Sequence, residues 1–214
     1  MLTVSNYHYI RPEFKAKYPS IFGITPAMFE NQLRLLRNEG DFLHPKDLLA
    51  DFESVMQSKG NYHFVTFDDG LKEQYDYAMP VLDAMNIPAI FFANSVNLDE
   101  KKTTTVHKIH LLRSILSSSE ILEKLANVDT VFLTDAEKER AQAIYRYDDA
   151  QSSELKYLLN FKMDFVVQEQ IINAIFADYF DETAITDSLY MDEKMVTDLA
   201  QLGYLGSHTH RHYP

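Results

Sequence analysis

Two short apolar runs constrain the fold more than any other feature. "YHFVTFDDG" at 62–70 and "PAIFFAN" at 88–94 are continuous rather than alternating, the pattern of strands covered on both faces. Between them "LKEQYDYAMPVLDAMN" has helical spacing, with a kink or restart expected near Pro80, because proline lacks an N–H and crowds the preceding turn. A strand, a helix and a strand in that order make a βαβ unit, and its crossover sets the two strands parallel. The fold class is α/β.

The flanking sequence extends that frame. Residues 2–10 are rich in β-branched and aromatic types and read as a strand. In "ITPAMFENQLRLLRNEG", Thr25 caps a helix, Pro26 takes the first position, Phe29, Leu33 and Leu36 form an apolar face, and Gly40 ends it. A further helix is expected over 45–56, with Leu48, Leu49, Phe52, Val55 and Met56 turned inward. From about Val106 to Leu202 the spacing is helical throughout, and "YLGSH" at 204–208 reads as one more strand. The simplest division places the α/β core in 1–98 and 203–214. Residues 99–202 then form a mostly helical insertion, longer than an ordinary crossover.

Composition narrows the chemistry. The 214 residues carry 20 Lys and Arg against 32 Asp and Glu, a net charge of −12. That disfavours nucleic acid or an anionic membrane surface as the main partner, since both need a basic footprint. Cysteine is absent, which excludes a thiol nucleophile, a zinc ribbon and a disulfide framework. Any metal site must draw on His, Asp and Glu. The sequence shows no signal-peptide h-region and no run long enough to span a membrane, so a cytoplasmic location is expected.

Two stretches could carry chemistry. Asp68 and Asp69 follow Thr66 and Phe67 at the C-terminal end of a buried parallel strand, the edge where α/β folds build their sites. Taken alone, Asp-Gly is an ordinary turn. Two adjacent carboxylates nevertheless repel unless a cation accounts for both, and neighbouring residues point in different directions, so one can ligate while the other serves as a base. The second stretch is "GSHTHRHYP" at 206–214. His208 can pair with His212 at i, i+4 or with His210 at i, i+2, and a terminal histidine cluster of no function has the same composition.

Together, TFDDG at a strand end and H-T-x-x-H after a later strand resemble the polysaccharide deacetylases of the NodB-homology family, carbohydrate esterase family four. The proline that usually follows the histidines stands one residue late, at Pro214. The upstream "YHYIRP…FENQLRLLRNEG…LHPKDLL" is similar to the lead-in of exopolysaccharide-type members. The resemblance covers residues 1–98 and about 203–214. It implies the N-terminal portion of a distorted (β/α) barrel, interrupted by the helical insertion. It assigns Asp69, His208 and His212 as ligands of one divalent metal, Asp68 as the general base, and Thr66 and Thr209 as supporting residues. His210 becomes a bystander. Zinc is the first choice of ion, with cobalt, nickel and iron suited to the same donors. The implied reaction is hydrolysis of an N-acetyl or O-acetyl group on a carbohydrate substrate.

The resemblance also sets limits. The family's later motifs, an arginine segment that orients the base and a histidine general acid, do not occur after His212. The expectation is a chain truncated before those motifs, with little turnover by itself. A non-catalytic metal-binding or interaction remnant is the alternative. Four strands (near 2–10, 62–67, 88–94 and 204–208) do not close a barrel. Iron(II) oxygenases use the same donor set, but the βαβ unit argues against their all-β frame. His107 and His110 in "VHKIH" read as surface or lightly buried, with a substrate-contact or acid role as the alternative; His8 reads as a packed strand residue, with a place near the site as the alternative; Tyr145 and Tyr147 read as an exposed helix end without a role. The insertion reads as a lid or a homo-oligomer surface.

Overall fold

The computed structural model describes residues 1–14, 23–126 and 132–213; Pro214 lies outside them. Strand β1 (Leu2–Tyr7) leads to helix α1 (Pro26–Arg37). Thr25 caps α1 through its side chain, which accepts from Met28 N–H, and Phe29 and Leu33 are buried on its inner face. A two-residue strand β2 (Asp41–Phe42) follows, too short to leave a pattern in the sequence. The single helix expected over 45–56 is two, α2 (Pro45–Ala50) and α3 (Phe52–Gln57). The break is at Asp51, which leaves helical geometry and accepts Ser54 N–H on its carboxylate, starting a new helix. Its apolar face is not turned inward: Leu49 is 82% exposed and Phe52 55%.

Strand β3 (Tyr62–Phe67) is the centre of the sheet. A π-helical turn at Gln74–Ala78 then runs into α4 (Met79–Met85), so the disturbance expected near Pro80 is a wide turn just before it. Strand β4 (Ala89–Ala93) completes the βαβ unit. A short helix α5 (Ser95–Asp99) and the helices α6 (Thr105–Ile115), α7 (Ser118–Ala126), α8 (Asp135–Ile144), α9 (Ala150–Tyr157), α10 (Phe165–Ala177), α11 (Glu182–Leu189) and α12 (Glu193–Leu202) precede β5 (Leu205–Ser207). The architecture is α/β. Among the described residues all strand pairs are parallel, in the order β1-β3-β4-β5, with β2 against the start of β3. The strand expected over 2–10 ends at Tyr7, and Ile10 makes an isolated bridge to Ile24.

Two large apolar clusters, and a small one of Tyr9, Leu71 and Tyr190, organise the described residues. One lies on the sheet and joins Phe29 and Leu33 of α1, Val65 and Phe67 of β3, Leu82 of α4, Phe91 of β4 and Leu199 of α12. Phe67 and Phe91 are register partners whose rings stack with centroids 4.5 Å apart, and Phe29 meets Phe67 edge-on at 5.7 Å. Burying each such ring is worth about 1.5–3 kcal/mol, which makes the C-terminal end of β3 a stiff platform for the residues that follow. The second cluster draws on α6, α7, α9, α10 and α11, with Leu112, Leu155, Ile172 and Phe176 at its centre. The helices between β4 and β5 therefore carry an apolar core of their own, whereas α12 packs with the sheet.

Candidate metal centre

The site begins where β3 stops. Asp68 N–H still donates to Tyr7 O at 3.0 Å, in line with the sheet. The next two residues turn left-handed, with φ of 79° at Asp69 and 63° at Gly70. That conformation costs a side-chain-bearing residue about 1–2 kcal/mol, and it separates the two carboxylates. Asp69 goes inward and is 4% exposed, while the Asp68 carboxylate keeps partial access to solvent.

The histidine loop is fastened to β4 and α5. His208 N–H donates to Ala93 O at 2.9 Å, and the buried Asn94 carboxamide donates to His208 O. Helix α5 has no intrahelical acceptors for its first N–H groups, and those of Ser95 and Val96 bond instead to Thr209 O and His210 O. Thr209 and His212 also have positive φ, 63° and 59°, and Thr209 Oγ1 accepts His212 N–H at 3.1 Å. A β-branched residue in that region is unusual, and strain of this kind gathers at functional sites. His210 turns away from Asp69, bridging Ser95 Oγ at 2.8 Å and Glu100 Oε1 at 3.0 Å.

These two turns bring Asp69, His208 and His212 together. Asp69 Oδ1 lies 3.6 Å from His208 Nε2 and 3.2 Å from His212 Nε2. One donor atom from each of the three falls within 4.8 Å of the others. Ligands about 2.0–2.1 Å from a tetrahedral zinc stand about 3.3 Å apart, so the spacing suits such an ion. Asp69 Oδ1 is buried and has no hydrogen-bond partner, a costly state that a cation would relieve. Burial pushes the Asp69 carboxyl up, but the facing imidazoles of His107 and His212 outweigh it and hold the group well below the usual carboxylate range. The same contact with Asp69 raises His212 against the opposing effect of burial.

Asp68 has different surroundings. Its Oδ2 accepts from Asn6 Nδ2 at 2.8 Å, and His8 Nε2 lies 3.7 Å away. Thr66 Oγ1 donates to Asn6 Oδ1 at 2.8 Å, which fixes the amide so that its N–H faces the carboxylate. Buried Gln74 ties the turn to the end of β1, its amide donating to Asp68 O at 2.6 Å and His8 O at 2.9 Å. Sequence reasoning missed Asn6 and Gln74; a lone amide in a strand or helix leaves no pattern. His8 is beyond β1, half exposed and on the site side, not packed within a strand.

His107 is neither at the surface nor lightly buried. It is 1% exposed, with Nε2 3.4 Å from Asp69 Oδ2. His110, one turn further along α6, lines a cavity of about 460 Å³ with Asn6, His8, Tyr9, Asp69 and His212. A neighbouring cavity of about 600 Å³ shares Val106, His110 and His212, and reaches Arg113, Tyr145 and Phe165. Tyr145, expected to have no role, is part of that wall. Burial first, and the neighbouring His107 second, lower His110 to about 3, so its imidazole is neutral.

A comparison with protein families matches residues 56–146 to the polysaccharide deacetylase family, less than half of the chain. No curated protein matches. Solved structures that are similar include a de-N-acetylase from Aggregatibacter actinomycetemcomitans (23% identity, 46% of this chain and 39% of that one, TM-score 0.38). The deacetylase PplD of Streptococcus pyogenes, solved with acetate, has 19% identity over 52% of each chain and a TM-score of 0.40. IcaB from Ammonifex degensii has 22% identity over 81% of this chain and 79% of that one, with a TM-score of 0.40. The chain spans about half or less of the first two in length. The family match begins before TFDDG and continues through β4 into the helices, so the chain is similar to the polysaccharide deacetylases over a stretch that holds TFDDG and stops short of the histidine loop.

Proposed function

We propose that this chain binds one divalent metal ion through Asp69, His208 and His212 and hydrolyses an acetyl group on a carbohydrate, an N-acetyl group in the first instance. The observation that carries this is the convergence of a buried Asp69 Oδ1, which accepts no hydrogen bond among the described residues, with two imidazole nitrogens 3.2 and 3.6 Å from it, beside a second carboxylate. Three donors leave open positions, and an ion bound there, zinc by preference, supplies Lewis acidity toward a carbonyl oxygen and lowers the pKa of a water.

The chain's own residues do the rest. Asp68 is the base: no hydrogen bond among the described residues occupies its Oδ1, and Asn6 holds Oδ2, so the carboxylate has a fixed direction and a free acceptor. One proton of the attacking water passes to Asp68 as its oxygen bonds the acetyl carbon. The C–N bond then breaks as the leaving amine takes that proton back from Asp68, acetate departs, and the base is restored. Neutral His110 and Tyr9, 3.4 Å apart at Nδ1 and Oη, line the cavity that Asp69 and His212 also border. The cavity beside the site combines aromatic faces with Arg113 and Asn160, a mixture suited to sugar rings and their hydroxyls.

The test is acetate release from N-acetylated chito-oligosaccharides by the zinc-loaded chain. Release above the metal-free baseline, abolished by Asp68→Asn while zinc stays bound, is the expected result. Zinc uptake with no release, unchanged by Asp68→Asn, would leave a metal-binding remnant in its place.

A further inference from the structure

His107 belongs to the helical segment between β4 and β5, yet its ring is buried against the candidate metal ligand from the sheet. Asp69 divides its two oxygens. Oδ1 faces His208 and His212, whereas Oδ2 faces His107 Nε2 at 3.4 Å. His107 Nε2 is itself buried without a hydrogen-bond partner, although the ring is 1% exposed. Its other nitrogen is well served. Nδ1 lies 2.6 Å from Tyr190 Oη and 2.9 Å from Thr104 Oγ1. Thr104 N–H in turn donates to Tyr190 Oη at 3.2 Å. Tyr190 is fully enclosed, fixed by an antiparallel bridge to Leu71, two residues after Asp69.

We infer that His107 is a positioning residue for the metal centre: its Nε2–H is directed at Asp69 Oδ2, and Tyr190 sets that tautomer by donating its phenolic proton to Nδ1. The inference rests on Asp69, His208 and His212 being the ligand set. Electrostatics selects the tautomer, because a bare Nε2 would set its lone pair against a carboxylate oxygen. With the proton on Nε2, Nδ1 must accept, and the phenol beside it supplies the donor. Burial raises Tyr190 above the ordinary tyrosine value, so that proton is retained. Outer partners of this kind orient a ligating carboxylate and raise metal affinity, and their loss costs about 10–100-fold.

The same segment also touches the histidine side of the site. Phe165 of α10 meets Tyr213 edge-on at 4.4 Å, and Tyr213 Oη donates to Glu169 Oε2 at 2.8 Å. The helices therefore reach both halves of the ligand set, His107 and Tyr190 on Asp69, and α10 on the histidine loop. Expected from sequence as a lid or an oligomer surface, the segment is here assigned part of the metal centre itself.

The test is titration with cobalt(II) alone, followed by its visible absorption, for the wild-type chain and for Asp69→Ala, His107→Leu, His107→Gln and Tyr190→Phe. Wild type binds and Asp69→Ala does not. His107→Leu and Tyr190→Phe bind about 10–100-fold more weakly, and His107→Gln, which can still present an N–H, recovers most of the loss. Long-range ¹H–¹⁵N spectra of the metal-free wild type show His107 protonated at Nε2. If wild type binds but Tyr190→Phe, the variant that changes least volume, keeps full affinity, or if His107 carries a proton on Nδ1, alone or together with one on Nε2, the inference is overturned and the ligand set stands. If wild type takes up no cobalt, or Asp69→Ala binds equally well, the ligand set falls and the inference with it.

Discussion

Gly70→Ala tests how tightly the turn that aims Asp69 is held. Gly70 has φ of +63°, and a Cβ built on it would lie 2.9 Å from Ala93 Cβ and 3.1 Å from Ala93 Cα. Two costs follow. A side chain in the left-handed region costs about 1–2 kcal/mol, and overpacking against β4 adds about 1–3 kcal/mol. The total is about 2–5 kcal/mol. With a urea m-value of about 2 kcal/mol/M, the midpoint falls by roughly 1–2.5 M. Because Ala93 O holds His208 N–H, strain relieved by moving β4 also displaces a ligand, so metal affinity falls with stability. The double variant Gly70→Ala, Ala93→Gly separates the terms: it removes the Cβ–Cβ clash and leaves the backbone cost. A coupling of about 1 kcal/mol or more between the two positions is expected from urea denaturation. A Gly70→Ala midpoint indistinguishable from wild type, or strict additivity of the pair, would show that the turn is not held against β4.

Three further outcomes are expected. Asn6→Ala frees the Asp68 carboxylate from a hydrogen bond to a charged group, worth about 1.5–3 kcal/mol; acetate release falls about tenfold or more, with cobalt affinity unchanged. Phe67→Ala opens the ring stack under the site and costs about 3–5 kcal/mol in denaturant unfolding. The third concerns pH. Contact with Asp69 raises His212 in the folded, metal-free chain, so its contribution to stability is complete below the unfolded value of about 6.5 and is lost as pH rises through the raised value. Metal uptake needs that proton gone, so cobalt affinity should climb between about pH 6 and 8; a flat profile would contradict this.

What could be read from the sequence was what recurs locally. Thr25-Pro26 and the 3.6-residue spacing of Phe29 and Leu33 announce α1, and its cap and burial are as expected. The apolar runs of β3 and β4 announce a parallel pair, and they are register partners. Leu49 and Phe52 show where this logic stops: their spacing is helical, but spacing alone does not say that anything covers the face, and in the structure they are exposed. β2 is two residues long and leaves no signal. The site divides the same way. TFDDG and HTHRH are compact motifs whose residues do meet. Asn6 reaches Asp68 through the pairing of β1 with β3, whereas His107 reaches Asp69, and Tyr190 reaches His107, from the helical segment between β4 and β5; none of the three sits in a local pattern.

Among the described residues no helix is long and apolar enough to cross a membrane, and the reading turns on the metal centre. A crystal of the chain soaked with zinc tests it most directly. A metal centre on this ligand set gives a single anomalous peak about 2.0–2.2 Å from an Asp69 carboxylate oxygen and from one nitrogen each of His208 and His212, with His107 within hydrogen-bond distance of the other Asp69 oxygen. No peak at Asp69, or a peak held instead by His210 and Glu100, would contradict it.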